Sequence, residues 1–378
     1  MQVNADLHIH SRFSIATSPM MVPRNIIDTC VTKGITVLGS GDALHPEWQH
    51  LWADYIDNNG GILVIPTAEV EDGDRVHHLI IMPDFEGFSE LRSMLIPFSR
   101  DILTGGRPHV RLPGSRIAEI VHQLGGMIGP AHAFTPWTSL FAYYNQLEEC
   151  YGREKVDFLE LGLSADNSYG AAIPDLYKVP FITNSDAHSP DPVKCGREFT
   201  RLSLNRCTVQ GVLSAVKGGH IEMNVGFFPE EGKYNRTACT RCYEQYTLLQ
   251  AEESQWRCPK DRGLIKKGVR DRARELSSGT PVKRPPYLHI LPLGEIIRTT
   301  ENASSTNTKK CLSKYKQLIS AFGNEIAILT PTPVSEISVV DKRTADPIDA
   351  FRNNRISFQP GGGGRFGTFT LHAPGIRN

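Results

Sequence analysis

Through its first 228 residues this chain repeats one pattern: a short apolar run closed by a histidine or a carboxylate, then a helix-like stretch. The apolar runs fall at 3–7, 35–38, 62–66, 76–82, 127–131, 158–161 and 181–183, with helix-like segments such as 23–33, 46–56, 88–95 and 115–124 between them. A helix over 208–218 and a strand over 221–225 close the series. Short strands alternating with helices predict a mainly parallel β/α architecture wrapped around one core. In barrel-like folds of this kind, functional residues gather at the C-terminal ends of the strands.

The polar residues obey that rule. Asp6, His8 and His10 alternate at the end of the first run, so a strand end would point all three the same way. Two imidazoles and a carboxylate on one face suit a borderline divalent metal. Asp42 and His45 follow the second run and Glu69 the third. His77 and His78 stand at the head of the fourth, as expected if that strand runs antiparallel or belongs to an insertion. His132 ends the fifth, and Asp186 and His188 end the last. A lone histidine is more often a satisfied structural residue. Six or more such sites at successive strand ends predict a polynuclear metal centre.

The formal net charge of zero conceals a division. Residues 1–232 hold 17 basic and 28 acidic side chains, whereas 233–284 hold 13 basic and 6 acidic. A basic stretch of this kind reads as a polyanion-binding footprint or as a solvated charged face. Within it lie Cys239-Thr240-Arg241-Cys242 and, fifteen residues on, Cys258-Pro259-Lys260-Asp261. Paired knuckles at this spacing form structural zinc ribbons, here with Asp261 in the place of a fourth cysteine. The alternative is a knuckle held by packing alone. Tyr234, Tyr243, Tyr246 and Trp256 are interleaved with Arg and Lys, which fits phosphate contacts combined with base stacking. The other cysteines are isolated, no apolar run reaches a membrane span, and no signal peptide stands at the start. A reducing, cytoplasmic setting without membrane contact is expected. Residues 277–286 read as a linker, 314–322 and 349–355 as helices, and the run Gly361–Gly364 as a turn or a phosphate-approaching backbone.

Asp6-x-His8-x-His10, Gly39-x-Gly41-Asp42, Glu69, His78 before an apolar strand, Ala131-His132 and Ser185-Asp186-x-His188 together resemble the PHP (polymerase and histidinol phosphatase) metallo-phosphoesterases. With the knuckles, Arg284-Pro285-Pro286-Tyr287-Leu288-His289-Ile290 and the glycine tail, the whole chain resembles the endonuclease Q family within that superfamily. The resemblance implies an α/β chain: a distorted seven-stranded β/α barrel over 1–228, a small zinc-ribbon-like domain over 229–276, and a mainly helical C-terminal DNA-binding region over 277–378. It implies two or three divalent metals (Zn, Mn or Mg). One would sit on His8, His10, Glu69 and Asp186. Glu69 would bridge to a second on His78 and His132, and His188 would hold a third with His45 or Asp42. Of the adjacent pair only one would ligate, His78, with His77 facing the other way or contacting substrate. Asp186 or His188 would relay a proton, and Arg12 would either clamp a phosphate or lie idle on the surface. The implied activity is incision of double- or single-stranded DNA on the 5′ side of deaminated bases (uracil, hypoxanthine, xanthine) and abasic sites. Asn184 and Ser164 are candidates for reading the base. Two rival readings are a phosphatase of small phosphate monoesters and a non-catalytic DNA-binding module.

Overall fold

The computed structural model describes residues 1–55, 60–353 and 355–371. The N-terminal body is built on β1 (Gln2–Asp6), β2 (Val37–Gly39), β3 (Leu63–Ile65), β4 (Thr67–Glu71), β5 (His77–Ile81), β6 (Met127–Pro130), β7 (Leu159–Glu160), β8 (Phe181–Ile182), β9 (Phe199–Ser203) and β10 (Ile221–Gly226). Beyond it come β11 (Ala238–Cys239) and β12 (Ile265–Lys266) in the knuckle, then β13 (Tyr287–His289), β14 (Ile356–Gln359) and β15 (Thr368–Leu371).

A six-stranded sheet runs β13-β10-β9-β1-β2-β3, a three-stranded sheet β4-β5-β6, and β7 pairs with β8. β1, β2 and β3 are parallel, whereas β9 is antiparallel to β1, and β5 is antiparallel to both β4 and β6. The architecture is mixed α/β. Among the described residues these sheets do not join into one closed barrel. The strand order breaks after β3 because Pro66, which has no N–H to donate, separates it from β4.

Local chemistry sets the helix ends. Pro23 opens the helix Pro23–Lys33, and Gly34 closes it in the left-handed region at φ 90°. Asp84 caps Phe85–Leu95 by accepting from the Gly87 N–H, and Thr208 caps Val209–Lys217 in the same way through Gly211. The expected helix after Pro46 is seen as Pro46–Ala53; Ile56 lies outside the described residues.

The inward faces of β1, β2, β3, β5, β6 and β8 supply one buried cluster, including Val3, Leu7, Val37, Ile65, Leu79 and Ile182. A second cluster joins Ile26, Trp48, Trp52 and Phe199 to Leu293, Ile296, Ile328 and Ile348. The C-terminal helices (Leu293–Thr300, Lys309–Phe322, Glu325–Leu329 and Val334–Arg352) therefore share a core with the N-terminal body. Lys33 and Glu325 seal that interface: both are buried, and their charged ends lie 2.7 Å apart.

The expected linker is pinned along its length. Gly279 and Val282 donate N–H groups to Ala172 and Ala171, and Arg284 reaches the carbonyls of Val179 and Leu176. β13 then enters the main sheet beside β10. The glycine run is also occupied. Its amides donate to the carbonyls of Glu230 (from Gly361), Arg365 (from Gly362) and Lys233 (from Gly364). Gly363, at φ 65°, lies so close to the Cys239 carbonyl that a Cβ would stand 2.1 Å from its oxygen. The run thus latches the knuckle, which corrects the phosphate-approach reading: these three amides are already bonded to protein carbonyls.

Candidate metal centre

The segment after β1 lies beside the segment after β8 through a bridge between Ile9 and Ala187, with the His10 N–H on the Ala187 carbonyl at 2.9 Å. This brings His8, His10, Asp186 and His188 to one end of the sheets. β4 and β5 add Glu69 and His77, and the turn after β6 adds His132. Three overlapping groups result: His8, His10 and Glu69; His10, Asp186 and His188; and Glu69, His77 and His132.

Distances tie the groups together. His10 Nε2 lies 3.4 Å from Glu69 Oε2 and 3.2 Å from Asp186 Oδ1. His8 Nε2 lies 3.7 Å from Glu69 Oε1 and 3.8 Å from Asp186 Oδ1. Glu69 Oε1 is 2.9 Å from His77 Nδ1 and 2.8 Å from His132 Nε2.

Carboxylates behind the rings orient them. The His8 Nδ1 lies 2.9 Å from Glu160, and the His10 Nδ1 lies 3.0 Å from Asp42. A carboxylate can only accept, so each Nδ1 carries the hydrogen and each Nε2 is left facing inward. Among the described residues, buried His8 Nε2, His10 Nε2, His132 Nδ1 and Asp186 Oδ1 have no hydrogen-bond partner. Orphaned polar atoms at such a site call for a ligand. Nitrogen and carboxylate donors together fit divalent cations of the Zn and Mn kind.

The charge balance agrees. Burial pulls the His8 and His10 imidazoles down, but Glu160 at His8 and Asp42 at His10, with Glu69 and Asp186, outweigh it. His8 is lifted to about 9 and His10 well above its ordinary value. Burial works against the carboxylates too, yet the surrounding imidazoles hold Glu69 and Asp186 far below the usual carboxylate range. Cations would replace the protons that this cluster otherwise gathers.

Three residues here carry backbone strain. Asp42, His132 and Asp186 adopt φ values of 45°, 32° and 45°, a region that non-glycine residues seldom enter. Gly41 (φ 63°) permits the close approach that sets Asp42 behind His10, since a Cβ there would stand 2.2 Å from the Ile9 carbonyl oxygen.

The model of the MJ0043 C-terminal domain family matches residues 292–355, within the helical region. The uncharacterized protein MJ0043 of Methanocaldococcus jannaschii is 40% identical over 64% of this chain, but that match spans only 31% of its own length. The uncharacterized protein YqxK of Bacillus subtilis is 30% identical over 97% of this chain and 98% of itself. The solved lesion-specific endonuclease PfuEndoQ from Pyrococcus furiosus is 42% identical, with a TM-score of 0.94, over 98% of this chain and 96% of its own. An endonuclease Q complex with a 27-mer duplex carrying an abasic lesion at the active site is 41% identical, again with a TM-score of 0.94, over 98% and 97%. The chain belongs to the endonuclease Q family.

Not every expected residue of this endonuclease Q chain joins the cluster. His78 points away: its ring is buried between Tyr151, 2.7 Å from Nδ1, and Asp72, 3.0 Å from Nε2. His77 takes the inward place, with Glu71 3.1 Å behind its Nε2. Asp42 is engaged by His10 and by the Ser11 and Ser14 hydroxyls, so it supports a ring and does not reach the centre. His45 accepts from the Trp48 N–H as a helix cap and stacks on Phe13 at 3.9 Å, which removes it from the ligand set. Arg12 pairs with Glu47 on the surface at 2.9 Å, while Arg107 reaches in to Glu69 Oε2 at 3.1 Å.

Asn184 is buried and fully engaged. It accepts from the Leu7 N–H and donates to Glu160, so it braces two strand ends from a buried position. Ser164 packs so closely on Gly232 that a Cβ there would stand 2.0 Å from its hydroxyl. The residues missed in the sequence are His77, Glu160 and Arg107. Glu160 carried a usable signal, a carboxylate inside the apolar run 158–161. Arg107 lies in a loop without pattern.

Cys239, Cys242, Cys258 and Asp261 converge on one point. Cys242 and Cys258 Sγ are 3.6 Å apart, near the roughly 3.7 Å edge of a tetrahedral site with zinc–sulfur bonds of about 2.3 Å. Asp261 Oδ1 stands 3.4 Å from Cys239 Sγ, and the Gly263 N–H holds its carboxyl low, at about 2. A small buried cluster of Cys239, Ala251, Cys258 and Ile265 surrounds this point, with Tyr246 and Trp256 packed against it.

Proposed function

We propose that this chain is a metal-dependent DNA repair endonuclease that hydrolyses the phosphodiester 5′ to deaminated bases (uracil, hypoxanthine, xanthine) and abasic sites. The near full-length likeness to a lesion-specific endonuclease carries this reading, because it includes the knuckle and the C-terminal helices as well as the ligand cluster. A complex of a related endonuclease Q with abasic duplex makes damaged DNA the natural partner here too.

His8, His10, Glu69, Asp186, His77, His132 and His188 would hold two or three divalent metals. Bound there, such ions supply a water of lowered pKa and neutralise charge developing on the phosphoryl oxygens. The chain's own residues do the rest. His188 Nδ1 lies 3.0 Å from the Asp186 carbonyl, which can only accept, so a neutral ring keeps the Nε2 lone pair for a ligand or a proton. Burial and the charge on His10 hold its pKa below the ordinary value, which favours that neutral form. Arg107, half-buried beside Glu69, brings a fixed positive charge to where the phosphate must lie. Glu160 and Asp42 keep His8 and His10 aimed.

A groove of about 550 Å³ between the body and the knuckle is lined by Phe134, Phe141, Trp256, Lys266, Lys267 and Arg272. Lys266 lies over the half-exposed Trp137 ring at 3.9 Å. Cations beside aromatic faces suit a nucleic-acid strand, and a phosphatase of small monoesters has no use for them. The sheets around the centre are read as a distorted barrel over 1–228, followed by a zinc-bearing knuckle over 229–276 and a docking region over 277–378. The deciding experiment is incubation with labelled duplexes bearing one uracil, hypoxanthine or abasic site, with Mg or Mn, followed by mapping of the cut. Incision 5′ to the lesion by the wild type, lost in Asp186→Ala, is expected. No cut, or the same cut by both proteins, would overturn the assignment.

A further inference from the structure

The segment after His10 leaves the metal centre and returns to it, anchored at both ends. On the way out, the Ser14 hydroxyl donates to Asp42 at 2.8 Å, and the Phe13 carbonyl accepts from the Gly106 N–H at 3.1 Å. On the way back, the Ser18 N–H donates to the His188 carbonyl at 2.8 Å, and the Arg12 N–H donates to the Met21 carbonyl at 3.2 Å. At the tip stands Ile15, 84% exposed, followed by Ala16 in the left-handed region at φ 61°. Met20, on the same loop, and Leu103, on the loop that bonds Phe13 through Gly106, are also exposed.

Single exposed apolar residues are ordinary on protein surfaces. Ile15 differs in its mounting. Its neighbours Ser14 and Ser18 are bonded directly to residues of the metal cluster or their supports, and the tip carries backbone strain. A β-branched side chain has few rotamers, so it presents a stiff apolar point. Proteins that unstack DNA insert such aliphatic wedges between base steps, and enzymes that address one nucleotide must vacate its place in the stack.

We infer that Ile15 is a wedge: it enters the base stack beside the lesion and holds the duplex open while the scissile phosphate lies on the metal centre. Met20 and Leu103 cover the flanking base faces. The inference rests on the endonuclease reading above and specifies how that site admits a duplex. Ile15 is then a positioning residue whose work is needed only where a stack must be broken.

The test compares wild type, Ile15→Ala and Ile15→Leu on one uracil sequence, as duplex and as single strand. Ile15→Ala should lose about tenfold or more in kcat/KM on the duplex and stay within about twofold on the single strand, with Ile15→Leu restoring most of the duplex rate. A 2-aminopurine beside the lesion, in a duplex with an uncleavable methylphosphonate at the scissile position, should brighten with wild type and not with Ile15→Ala. Equal losses on the two substrates, or no loss on either, would overturn the wedge. Failure of the wild type to cut either substrate would instead overturn the endonuclease reading on which the wedge depends.

Discussion

His77 and His78 are adjacent and chemically identical, yet one faces a cluster of carboxylates and imidazoles and the other a tyrosine. His77→Ala should lower incision by about a hundredfold or more with little change in Tm, as expected for a ligand. His78→Ala should instead lower Tm, because it leaves the buried Asp72 carboxylate without its ring partner. Paired kinetic and thermal measurements separate the two. Alternation alone could not choose between them, since a one-residue step reverses the face. Register chooses: His77 lies opposite Glu71, on the face that Glu71 shares with Glu69. Glu198 offers a second measurement. Burial, only partly offset by the Phe227 N–H and Arg197, raises its carboxyl from 4.5 to about 8. The folded chain therefore holds this proton more tightly than the unfolded one. Its contribution to stability is full below pH 4.5 and is lost as pH rises towards 8, at up to about 1.4 kcal/mol per pH unit. Glu198→Gln should be more stable than wild type at pH 8, with the gap narrowing towards pH 5 in denaturant titrations.

Elements differ in how plainly the sequence announces them. The strands that end in ligands were readable because an apolar run stopping at a histidine or acid recurs many times. His132 and Asp186 stand just beyond β6 and β8, whereas Glu69 lies inside β4; all three fall within one cluster of overlapping groups. Pairing between distant segments was not readable. Nothing in the composition of 277–286 distinguishes a free linker from one bonded to carbonyls of residues 171–179, because the acceptors are backbone carbonyls, which every residue carries. The knuckle is a middle case: its cysteines are spaced for a metal, but its fourth donor is a carboxylate. Its small core predicts dependence on the ion. Cys258→Ser should release zinc in a chromophoric chelator assay and weaken binding to plain duplex. It should also make the slope of log affinity against log salt shallower by one or more phosphate contacts, each worth about 0.9 in that slope. Absence of zinc from the wild type would show the knuckle to be held by packing.

Across the whole molecule, what looked like three successive units in sequence behaves as one body with a small appendage. The Lys33–Glu325 pair joins residues 292 positions apart, and Glu325 also accepts from the Tyr315 hydroxyl and the Leu293 N–H. Removing one charge strands the other in the core, so Lys33→Met should cost about 3 kcal/mol or more in urea unfolding, in a single transition. Loss of the C-terminal helices alone, as a separate earlier transition, would contradict a shared core. The glycine latch extends the same logic to time. The knuckle is held by contacts such as Gln245 to the Pro360 carbonyl and Arg236 to Gly361, which the ribosome delivers more than a hundred residues later. A growing chain would have its cluster of histidines and carboxylates long before the knuckle gained these two ties. Until Pro360 and Gly361 emerge, the knuckle would rest on its contacts with the body alone, such as Arg272 to the Phe141 carbonyl.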